Sequence, residues 1–169
     1  MKIKLYNFHN KWLDDLVYEL YKFNRKTPMS YFADISNHRS LQSKSIYLKE
    51  ELQIMIDSCQ YNFITIDETI PNKHKVYGFS CYRIEEKKCY NKLIFKSVDY
   101  PISKHMFYGN LEMFHKIKNM GFKKLYSVID RSDEDRYIKF LKRFYNVEIN
   151  KRPNKKTELI FNLENILTN

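Results

Sequence analysis

The chain has 169 residues, 43% of them hydrophobic and 16% aromatic, with a net charge of +10 from 30 basic and 20 acidic side chains. That length fits one domain spanning 1–169, and the apolar fraction is enough for a packed core in which rings fill much of the space. No apolar run approaches the ~18–20 residues of a membrane-spanning helix, and MKIKLYNFHNKW has no apolar signal core, so the sequence predicts a soluble, cytoplasmic protein without a membrane partner.

Lys2–Tyr6 alternates as a short strand, and Asn10 is placed to cap the helix that follows. Trp12, Leu13, Leu16, Val17, Leu20 and Tyr21 form one apolar stripe at helical spacing. Asn24–Arg39, with Pro28, Ser30, Asn37 and His38, reads as a surface loop with a helical turn near Tyr31–Ala33. Leu48, Leu52, Met55 and Ile56 mark a second helix over Ser43–Ser58. Tyr61–Ile66 and Val76–Glu85 read as an antiparallel pair around a turn containing Pro71 and Asn72. Glu86–Tyr90 reads as a polar turn, and Leu93–Val98 as the third strand of the meander.

The stretch Leu93–Ile129 is the most telling in the chain. Pro101 ends the strand, since proline donates no backbone hydrogen bond. Met113, Phe114, Ile117 and Met120 recur at helical spacing. Gly121 stands where a helix C-terminus favours a left-handed residue, and Leu125–Ile129 is the next strand. A strand–helix–strand unit this short implies parallel pairing and a right-handed crossover. Ser132 and Asp135 resemble a capping box for a last helix whose apolar face is Ile138, Leu141, Phe144 and Tyr145. Val147–Ile149 and Thr157–Leu163 are candidate final strands.

Cys59, Cys81 and Cys89 are odd in number and lack paired spacing, which predicts reduced, buried or semi-buried thiols. No Cys-x-x-Cys or His-x-x-x-His pattern occurs, so no metal is expected. The single alanine and the abundance of Asn, Ile, Lys, Tyr and Phe point to AT-rich coding sequence, as in low-GC bacteria and their phages; a phage-encoded protein could sit in a virion. Residues 1–85 carry 12 basic and 10 acidic side chains, residues 86–169 carry 18 and 10. The positive field thus belongs to the C-terminal half, where it favours phosphate-rich partners such as nucleic acid.

The order β-α-α-β-β-β-α-β-α-β, with a candidate last strand, resembles the GNAT superfamily of acyl-CoA-dependent N-acyltransferases, best from Leu93 to Phe161. The resemblance implies an α/β (α+β) fold: a mixed, mostly antiparallel central sheet flanked by about four helices. It implies acetyl-CoA as donor and an amine as acceptor. The family's Arg/Gln-x-x-Gly-x-Gly/Ala loop, whose backbone cradles the pyrophosphate at a helix N-terminus, corresponds to Lys104-His105-Met106-Phe107-Tyr108-Gly109. Lys104 takes the Arg/Gln place, Gly109 matches the final small residue, and Phe107 replaces the first glycine. The resemblance implies cofactor contacts from Val98, Lys104, Phe107, Tyr108, Gly109 and Asn110.

The family's leaving-group acid is a tyrosine on the last helix. Leu141 aligns there, and Tyr137 one turn before and Tyr145 one turn after on the same face are the candidates to take its place as the acid. Glu85, Asp99 and His105 are the candidates for the general base. Two other readings remain open on the sequence. A GNAT-like chain without catalysis would be a structural or interaction module. A nucleic-acid binder would use Lys151, Arg152, Lys155 and Lys156, although no helix-turn-helix, zinc finger or RNP signature occurs.

Overall fold

The computed structural model describes residues 3–69, 75–97, 99, 104–129, 136–153 and 156–167, with side chains undescribed at 104–109 and 136–137. The elements follow one another as strand β1 (Ile3–Asn7), helices α1 (Leu13–Lys26) and α2 (Leu41–Asp57), strands β2 (Tyr61–Asp67), β3 (Lys75–Glu85) and β4 (Lys88–Lys96), helix α3 (Lys104–Asn119), strand β5 (Lys124–Ile129), helix α4 (Arg136–Phe144), and strands β6 (Val147–Lys151) and β7 (Thr157–Asn162). The seven strands form one sheet in the order β1-β2-β3-β4-β5-β7-β6. β1–β2, β2–β3, β5–β7 and β6–β7 pair antiparallel, and β4 pairs with β5 in parallel, as the strand–helix–strand spacing predicts.

The chain divides into two compact units. The first comprises Met1–Tyr82 and Leu93–Gly109. Its core gathers Leu16, Val17 and Leu20 of α1, Leu48, Leu52 and Met55 of α2, Ile64 and Ile66 of β2, Phe79 and Cys81 of β3, and Leu93 and Phe95 of β4. The stripes on both helices are the ones the apolar spacing marks out. His9 rather than Asn10 caps the helical start, its Nδ1 accepting from the Lys11 amide at 3.2 Å. Ser40 and Ser43 cap α2 reciprocally, moving its start two residues ahead of the expected one. The expected loop between the helices holds a 3-10 segment over Ser30–Asn37, pinned by the buried Phe32.

The second unit comprises Arg83–Lys92 and Asn110–Asn169. Met113, Phe114 and Ile117 of α3, Leu125 of β5, Ile138 and Leu141 of α4, and Leu159 and Phe161 of β7 are all buried. Glu86–Lys87 is a two-residue turn with φ of 49° and 64°, so β4 begins at Lys88, five residues before the expected Leu93. Turns of this left-handed kind match the twist of a hairpin. The proposed Ser132–Asp135 capping box lies outside the described residues.

Candidate functional site

The parallel ladder is short. β4 and β5 pair at Cys89–Leu125, Tyr90–Tyr126 and Asn91–Ser127. β4 runs on to Lys96, and β5 pairs with β7 through Ile129–Thr157. From Leu93 onward β4 belongs to the first unit.

α3 follows β4 and begins at Lys104. The residues expected as a loop, Lys104 to Gly109, are therefore helical. Gly109 is the sixth residue of the helix and not its N-terminus. Lysine and methionine favour helix and a single internal glycine costs only about 1 kcal/mol, so the helix starts early. The amides without an intrahelical acceptor belong to its first turn, Lys104 to Met106, instead of Phe107–Asn110. No acidic residue stands in that turn, and the partial positive charge of a helix N-terminus suits a phosphate group. Val98 lies outside the described residues. The side chains of Lys104, His105, Phe107 and Tyr108 are likewise undescribed.

Asn110, the remaining cofactor candidate, is buried on α3, and its Nδ2 donates to the Tyr145 hydroxyl at 3.3 Å. Tyr145 is 1% exposed and stands edge-on to Phe114 at 5.4 Å. Its hydroxyl sits among rings, tying the last residues of the α4 segment to α3. Leu141, which the resemblance aligns with the family's acid, is buried as core. Tyr137 is in the first turn of α4, its side chain undescribed. Glu85 is exposed at the end of β3, with Arg83 and Lys92 as ion-pair partners at 3.6 and 3.9 Å. That is the environment of a hairpin rim.

Asp99 is engaged more tightly. Its carboxylate takes Lys22 at 3.0 Å and Lys75 at 3.2 Å. Hydrogen bonds from those ammonium groups hold its pKa below the usual value, making it a weak base. Lys22 also donates to Glu19 at 3.0 and 3.2 Å. Burial lowers the Lys22 pKa, but the hydrogen bonds to Asp99 and Glu19 outweigh it and the net direction is up.

Two residues near the end of β4 carry no sequence signal. Lys96 is the strand's last residue. A Cβ built on Gly78 of β3 would lie 3.8 Å from its Cγ and 3.1 Å from the Phe95 carbonyl oxygen. Burial pushes the Lys96 amine down to about 7, so it is partly neutral at physiological pH. Glu19, on α1, is 5% exposed and accepts from the Ser97 hydroxyl at 2.7 Å. A strand-terminal lysine and a helical glutamate read as solvated charges in any periodicity analysis.

Arg152 pairs with Glu158, and Lys155 lies outside the described residues. Among the described residues, no helix is long and apolar enough to cross a membrane, and no group of three or more His, Cys, Asp or Glu side chains is arranged to hold a metal ion.

No family model and no curated protein matches the chain by sequence. Its fold matches many solved structures. The PaiA N-acetyltransferase of Thermoplasma acidophilum in complex with coenzyme A superposes with a TM-score of 0.65 at 13% identity, over 96% of this chain and 99% of that one. An acetyltransferase from Thermus thermophilus gives 0.63 at 16% identity, over 96% and 97%. The N-acetylglutamate synthase of Neisseria gonorrhoeae, complexed with coenzyme A and N-acetyl-glutamate, gives 0.60 at 11% identity, over 96% of this chain but 35% of that larger one. The fold of this chain is the GNAT fold.

Proposed function

We propose that the protein binds an acyl-CoA, acetyl-CoA first among them, and transfers its acyl group to an amine. The observation that carries this reading is the order of β4 and α3: a strand paired in parallel for three residues, followed by a helix whose first-turn amides have no acceptor within the helix and whose first turn holds no acidic side chain. The likeness to coenzyme A-bound acetyltransferase structures supports the same reading, although a shared fold does not by itself fix a function.

The first-turn amides Lys104, His105 and Met106 would hold the donor's pyrophosphate, with Lys104 adding charge. The donor supplies a thioester carbonyl. This chain's work is then to place an amine against that carbonyl, a gain that comes mainly from orientation. An incoming amine must lose a proton, and a group with a pKa near the working pH serves that best. Lys96, held at about 7 on the last residue of β4, is such a group. Asp99 is a poorer base, its carboxylate stabilised in the charged form. The reading gives Tyr145 no acid role, because its hydroxyl is buried and engaged by Asn110. The leaving thiolate then takes its proton from water.

Isothermal titration calorimetry with acetyl-CoA, desulfo-CoA and ATP tests the donor. Micromolar binding of the CoA forms, tighter than ATP, is expected. Equal affinity for all three, or none, would overturn the reading. An amine screen that follows release of the CoA thiol then tests transfer.

One observation favours a second reading. Leu141 is buried core where the family has its acid. A chain that kept the fold and lost catalysis would act as an interaction module, in which case CoA binding without turnover on any amine is the expected result.

A further inference from the structure

The chain is held three ways as it leaves β4, all within the first unit. The Ser97 amide donates to the Tyr77 carbonyl at 2.8 Å. Tyr77 lies at an irregular point of β3: Gly78 pairs with Thr65 and Val76 with Ile66, so the register against β2 shifts there in a bulge. The Ser97 hydroxyl donates to Glu19 Oε2 at 2.7 Å and accepts from the Asp99 amide at 3.3 Å. Serine makes local bonds of that last kind in turns. Asp99 is then fixed by Lys22 and Lys75, and Lys22 returns to Glu19.

The central member is a buried carboxylate, a costly choice. Replacing a buried ionic arrangement by apolar residues of equal volume is often neutral or stabilising, so stability alone is a poor account of it. Apolar packing is non-directional, whereas these bonds fix a direction. They join Glu19 to Ser97 and Lys22 to Asp99, 78 and 77 positions later, at the last described points before α3.

We propose that Glu19 and Ser97 are positioning residues that set the course of the chain from β4 into α3 and thereby the anion-binding geometry of the first turn of α3. The proposal rests on the acyl-CoA reading for its ligand, but not for its structural half.

The test compares Glu19→Gln, Ser97→Ala and Ser97→Thr with wild type in two measurements, coenzyme A affinity by calorimetry and amide hydrogen exchange over residues 99–106, with thermal melting as the control for folding. Ser97→Ala and Glu19→Gln are expected to weaken coenzyme A binding about 10-fold, a size typical of small misplacements in a binding site. Exchange over residues 99–106 should accelerate while β2 keeps its protection. Ser97→Thr, which retains the hydroxyl, should restore both. Unchanged affinity and exchange in Ser97→Ala would overturn the proposal. So would a Ser97→Thr variant as impaired as Ser97→Ala. If wild type binds no coenzyme A, the acyl-CoA reading fails separately, and the exchange result alone decides the positioning role. If both primary variants fail to fold, Lys75→Met, which removes one of the two cations on Asp99, takes their place with the same expected direction and a smaller effect.

Discussion

The Asn110 amide donates to the buried Tyr145 hydroxyl at 3.3 Å, joining two residues for which the family resemblance implies cofactor binding and catalysis. The geometry makes them a brace between α3 and the end of the α4 segment. Tyr145→Phe should cost about 1 kcal/mol in urea unfolding, the net value of one hydrogen bond. Turnover of an identified amine should change by less than about threefold. A loss of about 100-fold, the size expected for removing a general acid, would make Tyr145 catalytic after all.

Gly78 is required for close approach. A Cβ there would stand 3.1 Å from the Phe95 carbonyl oxygen, and that oxygen belongs to backbone which cannot rotate aside. The usual benefit of removing a glycine from a strand, about 0.5–1 kcal/mol, is therefore outweighed. Gly78→Ala should destabilise by about 1–3 kcal/mol, as overpacking does, and a chemical denaturation midpoint at or above that of wild type would refute this.

The elements with strong periodicity were legible. Both N-terminal helices, the parallel β4–β5 pairing and the final two strands follow from apolar spacing and from the length of the connections. The start of β4 was not, because Glu86–Lys87 adopts a left-handed turn without the Asn-Gly or Asp-Gly that advertises one. Lys88, Asn91 and Lys92 then look like loop residues. The start of α3 was hidden too: the family motif drew Lys104–Gly109 as a loop, while the backbone is helical from Lys104. Glu19, Ser97 and Lys96 could not be found by pattern, since contacts 78 positions apart and the burial of a charge are properties of the folded chain.

The cysteines make a simple check on the core. Cys59, Cys81 and Cys89 are free and buried, and burial pushes the Cys89 thiol up to about 12. The thiolate is the reactive form, so folded protein should resist a disulfide reagent such as DTNB at pH 8. All three should react once the chain is unfolded in denaturant. Rapid reaction of Cys89 in the folded state would contradict its burial on β4.

Lys96 gives the pH dependence. Its amine falls from 10.5 to about 7 on folding, so between those values the unfolded chain binds more protons than the folded one. Stability from this group therefore rises with pH from about 7 toward 10.5 and is least below 7, where the buried amine must carry a charge. Lys96→Met removes that slope. The variant should be the more stable protein at pH 6, and its advantage should shrink steadily toward pH 9.5. Taking the difference between the two proteins cancels the thiols and tyrosines they share. If Lys96 also takes the acceptor's proton, Lys96→Met and Lys96→Arg should both lose about 100-fold in kcat/KM, because arginine stays charged at any working pH. Lys96→Arg should in addition flatten the limb of the wild-type pH–rate profile near 7. A limb that persists in Lys96→Arg would move the base elsewhere, and parallel stability curves for wild type and Lys96→Met would show that the amine is not held down at all.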